Sequence, residues 1–227
     1  MKTQILKSVI ATSVLTVLTA MSSSAYADNV TATVTGFAYA NPQTATITSA
    51  TPAVNNLSVY AGGFSGTYAD STSFIAYCAD ISQELAPWNT TQTYTQGNLA
   101  SAFSSTKAAD LTTFSNKYYS LVNNAETSAA FQIATWEILF ENAANPYQVN
   151  NNSFKAFGGT GVSLAQTWLS GLHDSSFAVT GNYSIGLLQS SKYQDVVTVT
   201  PVPEPETYAM MLAGLGLMGF VARRRKS

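Results

Sequence analysis

The hydrophobic period of this chain changes twice, and that change limits the folds open to it more than any other feature. From Val30 to Val34 the run Val-Thr-Ala-Thr-Val alternates apolar and polar residues, the two-residue period of a half-buried strand. Ala45-Thr46-Ile47-Thr48 reads as a second strand. Leu57 to Ala61, then Gly62-Gly63, then Phe64 to Tyr68 read as a hairpin with a glycine turn. Phe74 to Ile81 is apolar on both faces, as an interior strand is. The period then lengthens: Leu111, Phe114, Tyr118, Leu121 and Val122 fall on one face of a helix. Asn123 with Glu126 three residues later makes a capping-box-like start for a second helix, which continues through Ala129 to Phe140 with Pro146 beyond its end. A third helix is expected at Ser163 to Leu172, with Leu164, Trp168 and Leu172 on one side. Strand patterns return at Ser184 to Leu188 and at Val196 to Val199. These segments predict an α+β fold, a β-barrel or sandwich-like sheet interrupted by a helical subdomain at about 82–173.

The two ends follow different rules. Lys2 and Lys7 precede an apolar stretch from Val9 to Ala20 that closes on Ala25-Tyr26-Ala27. A buried N-terminal helix needs neither a basic head nor an Ala-x-Ala end, so residues 1–27 read as a secretory signal cut by signal peptidase after Ala27. Residues 28–199 then form one body, long enough for a core of its own. At residues 200–227, Pro203 and Pro205 hold the chain extended and open to a protease. The apolar run 208–222 is 15 residues long, short of the ~17–25 of a permanent membrane helix, and carries Gly214, Gly216 and Gly219. Arg223, Arg224, Arg225 and Lys226 hold its end at the cytoplasmic face. Val202-Pro203-Glu204-Pro205, a short glycine-bearing apolar helix and a basic stop resemble, in this order, the PEP-CTERM sorting domain. The resemblance implies an exosortase partner in a Gram-negative bacterium that makes exopolysaccharide. It also implies a transient hold on the inner membrane through 208–222, cleavage near the proline motif, and delivery to the cell surface or extracellular matrix. A simple tail anchor accounts for the apolar run but leaves the proline motif unexplained.

The body carries four lysines against ten carboxylates, a net charge of −6, which argues against any nucleic-acid partner. One cysteine and one histidine rule out an internal disulfide and offer no zinc spacing, so neither metal nor cofactor is expected. Cys78 lies inside the two-sided apolar strand. Gln132 shares a helix face with Ala129, Trp136 and Leu139, where an unpaired amide costs about 1–3 kcal/mol. Tyr77-Cys78 and Phe131-Gln132-Ile133-Ala134-Thr135-Trp136 together resemble the thioester domains of bacterial surface adhesins, best known from Gram-positive species. The likeness spans about Phe74 to Leu172, although Thr135 stands where that family generally has an aliphatic residue. It implies a thioester between Cys78 and Gln132, a pocket walled by Tyr77 and Trp136, and a one-shot covalent binder of an unspecified surface ligand rather than an enzyme.

The residues themselves leave a second reading open: an ordinary buried cysteine and a satisfied glutamine in a non-catalytic, exopolysaccharide-associated structural protein. Such a protein binds through exposed aromatics such as Trp88 and Tyr94. Asp80, on the same strand face as Cys78, either orients groups there or turns the chain at the strand end. A Cys-His hydrolase requires Cys78 to meet His173 and an amide such as Asn182. His173 follows the third helix, however, where it complements the helix C-terminus, and nothing local to Cys78 lowers a thiol pKa. No acids cluster as a paired-carboxylate glycosidase requires.

Overall fold

The computed structural model describes residues 28–202, except 52, 55, 143, 177, 178 and 180, together with 211–215 and 218. The first alternating run forms β1 (Asn29–Phe37), with Ala32 and Val34 turned into the core. β2 (Gln43–Ser49), β3 (Leu57–Ala61), β4 (Phe64–Tyr68), β5 (Ser73–Cys78) and β6 (Thr90–Gly97) follow. The helical stretch holds α1 (Leu99–Ala102), α2 (Ser105–Tyr118), a 3-10 turn at Tyr119–Leu121 and α3 (Ala125–Phe140). β7 (Lys155–Phe157), α4 (Thr160–Ser170), β8 (Tyr183–Gln189) and β9 (Val196–Pro201) complete the body.

Six strands close into an antiparallel barrel in the order β1-β4-β5-β9-β8-β6. Closure leaves these strands no free edge. Ala32, Phe74, Ala76, Tyr94, Leu188 and Val196 pack together as one small cluster. A second sheet, β3-β2-β7, and the helices share a larger core with the barrel that includes Tyr77, Phe114, Phe131, Trp136 and Trp168. At its centre runs α3, buried on every side from Ser128 to Leu139, as expected of a helix apolar all round. The α+β reading therefore holds, with a barrel as its sheet.

Three details of the expected map change. Gly62-Gly63 does not close a hairpin, because β3 pairs with β2 while β4 pairs with β1 and β5. The glycines instead carry the chain from one sheet to the other, with Gly62 at φ +153°. The helical insert is narrower than 82–173, because β6 lies within that range and closes the barrel against β1 and β8. Its sequence, Thr-Thr-Gln-Thr-Tyr-Thr-Gln-Gly, buries only Tyr94, so no apolar alternation marks it. Finally, α3 starts one residue later than expected: Asn124 and Thr127 form the capping box, not Asn123 and Glu126. The signal at 1–27, the residues Pro203, Glu204 and Pro205, and the basic run 223–226 lie outside the described residues, as does most of 208–222. Residues 211–215 are helical, and no helix of the described residues is long and apolar enough to cross a membrane.

Candidate functional site

Cys78 is the last residue of β5, two beyond the final β4–β5 pair, Phe64 with Ala76. Successive residues of a strand offer their N–H and C=O to opposite neighbours. The Ala79 N–H donates to the Asp195 carbonyl at 2.8 Å on the β9 side, so the polar groups of Cys78 face the side that β4 has vacated. Gln132 of α3 fills that place. Its Oε1 accepts the Cys78 N–H at 2.8 Å, and its Nε2 donates to the Cys78 carbonyl at 2.9 Å. One side-chain amide thus continues the ladder as a peptide group would. Cys78 and Gln132 do come together, but the recorded bonds run through the cysteine backbone and engage both ends of the amide.

The sulfur has a different partner. Cys78 Sγ donates to Gln194 Oε1 at 2.6 Å. Gln194 precedes β9 and is held from both sides: its own N–H donates to the Glu84 carbonyl at 2.9 Å, and Asp195 caps the turn behind it by accepting from Ser190 N at 2.8 Å. The sequence reading passed over Gln194. Its only local signal is Tyr193-Gln194-Asp195 ahead of an apolar strand, and nothing local says that this strand lies beside β5. Burial pushes the Cys78 thiol far above its ordinary range and the Asp80 charge adds to this, so the resting group is S–H.

Cys78 and Gln194 both open onto a cleft of about 590 Å³. Phe37, Phe64, Leu85, Trp88 and Trp136 make up much of its apolar wall. Trp136 is 2 % exposed and reaches this wall from α3. Tyr77 does not line it: neighbouring strand residues point oppositely, and its ring packs on Phe131 and Tyr119 in the helical core. Asp80 accepts from both the N–H and the hydroxyl of Ser82 at 2.7 Å, so it turns the chain after β5.

The other candidates separate. His173 sits in another cleft, its Nε2 3.8 Å from Asp110 and its ring beside Tyr147. Asn182 lies at the Tyr183–Pro201 end of the β8–β9 pair, whereas Cys78 sits opposite Val196 at the other end of β9. His173 and Asn182 thus both lie away from Cys78. Of the two aromatics proposed for surface binding, Trp88 is 41 % exposed and lines the cleft, whereas Tyr94 is 1 % exposed because its strand position points inward. Among the described residues no cluster of three potential metal ligands occurs.

Residues 201–226 match the family model of the PEP-CTERM protein-sorting motif. That motif is associated with exosortase processing, so the chain is an exported protein sorted by that route. No curated protein matches the chain. Among solved structures it is similar to the N-terminal thioester domain of a surface protein from Clostridium perfringens, with 12 % identity and a TM-score of 0.44 over 77 % of this chain and 100 % of that one. It is also similar to the N-terminal domain of the Streptococcus pyogenes pilus tip adhesin Cpa, with 13 % identity and a TM-score of 0.42 over 71 % of this chain and 94 % of that one.

Proposed function

We propose that this exported protein attaches covalently to a surface partner through an internal thioester between Cys78 and Gln194, with Gln132 holding the cysteine in place. The carrying observation is the 2.6 Å contact from Cys78 Sγ to Gln194 Oε1 at the edge of an apolar cleft. The acyl donor is thus reassigned from Gln132, whose amide is engaged with the backbone. In the forming step, sulfur attacks Cδ of Gln194, the C–Nε2 bond breaks, and the thiol proton leaves on nitrogen as ammonia. In the attaching step, an amine or hydroxyl of the partner attacks the same carbon, the S–C bond breaks, and the nucleophile's proton returns to sulfur. The reaction runs once, and the apolar wall protects the acyl group from water until then.

The route to the surface completes the proposal. Signal peptidase cuts after Ala27, the segment 208–222 with its basic stop 223–226 rests in the inner membrane of a Gram-negative cell, and exosortase cuts near 202–205. A second, non-covalent reading uses the same cleft: Trp88 at 41 % and Tyr60 at 61 % exposure offer stacking faces to exopolysaccharide.

Intact mass of the secreted protein tests the covalent reading. The wild type is expected to be one ammonia light, with the deficit absent in Cys78→Ala and Gln194→Ala. After treatment with methylamine, tandem mass spectrometry is expected to place the label on residue 194. A label on residue 132 would return the acyl role to that glutamine. A full-mass wild type with a readily alkylated Cys78 would leave only the non-covalent reading.

A further inference from the structure

Two buried polar atoms in the wall of the Cys78–Gln194 cleft have no hydrogen-bond partner among the described residues: the indole Nε1 of Trp136 and Oε1 of Gln83. One is a donor only and the other an acceptor only. Buried polar atoms are seldom left unpaired, so a matched pair of this kind beside a reactive centre marks a place kept for a ligand. Acyl transfer calls for such a pair. As a nucleophile adds to Cδ of Gln194, the carbonyl oxygen gains negative charge and seeks a donor, while the attacking nitrogen gains positive charge and seeks an acceptor.

We infer that Trp136 and Gln83 form the polar contacts of the acyl-transfer step, and that Gln83 makes the cleft select primary amines over hydroxyls. The inference rests on the thioester reading of this site. The Trp136 N–H stabilises the oxyanion that develops on Gln194 Oε1. Gln83 Oε1 accepts one hydrogen of the incoming amine. An amide oxygen does not take up the proton, so the amine's second hydrogen passes to the departing sulfur, where burial and Asp80 favour the S–H form. The N–C bond forms, the S–C bond breaks, and Cys78 is left as a thiol. An alcohol has a single O–H and cannot both bind Gln83 and protonate sulfur. Phe37, Phe64 and Leu85 line the apolar part of the same cleft, and Ser58, Ser82 and Glu84 its polar part.

The test uses the secreted full chain, with methylamine and methanol as probes and adduct formation followed by intact mass. Trp136→Phe, which keeps an aromatic ring but lacks the N–H, is expected to slow aminolysis on the order of 10²-fold. Gln83→Met is expected to cut the ratio of amine to methanol adducts about tenfold, as the loss of one oriented hydrogen bond predicts. A purely structural role for Gln83 alters all nucleophiles alike and leaves that ratio fixed. If Trp136→Phe fails to fold, the ratio in Gln83→Met decides alone. Wild-type rates and ratio in both variants overturn this inference while leaving the thioester standing. A wild type at full mass overturns the thioester and the inference together.

Discussion

A carboxyl group on a helix buried all round must find donors or keep its proton, and the end of α3 shows both outcomes one turn apart. Glu141 is pushed up by burial, but the Asn145 amide and the N–H groups of Phe154, Asn142 and Ser153 outweigh that effect and hold it below its ordinary value. Among the described residues Glu137 has one donor, the Gln148 N–H at 2.6 Å, and its second oxygen is buried without a partner. Burial pushes its carboxyl up to about 8, and the nearby Glu141 charge adds to the shift. Unfolded, the same group ionises near 4.5. Between these values the folded chain binds more protons than the unfolded one, so this contribution to stability is full below 4.5 and is lost as pH rises through 8. Urea midpoints measured from pH 5 to 9 should therefore decline in the wild type relative to Glu137→Gln, which stays neutral throughout. Parallel curves for the two proteins would show that Glu137 does not hold its proton.

At the scale of elements, Gln132 belongs to the sheet as much as to its helix. β4 begins at Phe64, and without the amide the ladder on the β4 side of β5 stops at Ala76, two residues short of the cysteine. Replacing Gln132 with Leu keeps the helix and the bulk but strands the Cys78 N–H and C=O. The expected cost is about 1–3 kcal/mol for each group left unpaired. Urea unfolding should report that loss, and hydrogen exchange should place it at the end of β5; an unchanged midpoint would mean that water or a backbone shift replaces the amide. The sequence showed that Gln132 is buried, because it shares a helical face with Trp136, but not where its bonds go. That depends on the residue at which a different strand begins. The same limit explains the glycine pair at 62 and 63. Flanking apolar runs read identically whether the two strands pair with each other or part to separate sheets. β6 escaped notice for a related reason: threonine alternating with threonine and glutamine carries strand propensity without an apolar stripe.

For the whole molecule, barrel closure brings Cys78 and Gln194 together across 116 residues of sequence. β5 and β9 are adjacent in space but separated by the entire helical stretch, so no local pattern joins the two side chains. The sorting motif starts at residue 201, and β9 ends at Pro201, whose register partner is Tyr183. The Val202 N–H still donates to the Asn182 carbonyl, so the barrel's last recorded hydrogen bond falls where the proline motif begins. Cleavage on the far side of Val202 therefore costs the barrel none of the pairing among the described residues. A chain ended after Val202 should keep the thermal midpoint of the full-length protein to within about 1 °C, because no ladder contact is removed. It should also fail to be sorted by exosortase. A chain ended before Val196 loses β9, the partner of both β5 and β8, and with it the register that sets Cys78 against Gln194. It should neither fold cooperatively nor lose ammonia. Differential scanning calorimetry, with fractionation of the exporting cell, compares the three chains. A marked fall in midpoint for the chain ending at Val202 would mean that the tag is part of the fold, contrary to its role as a removable address.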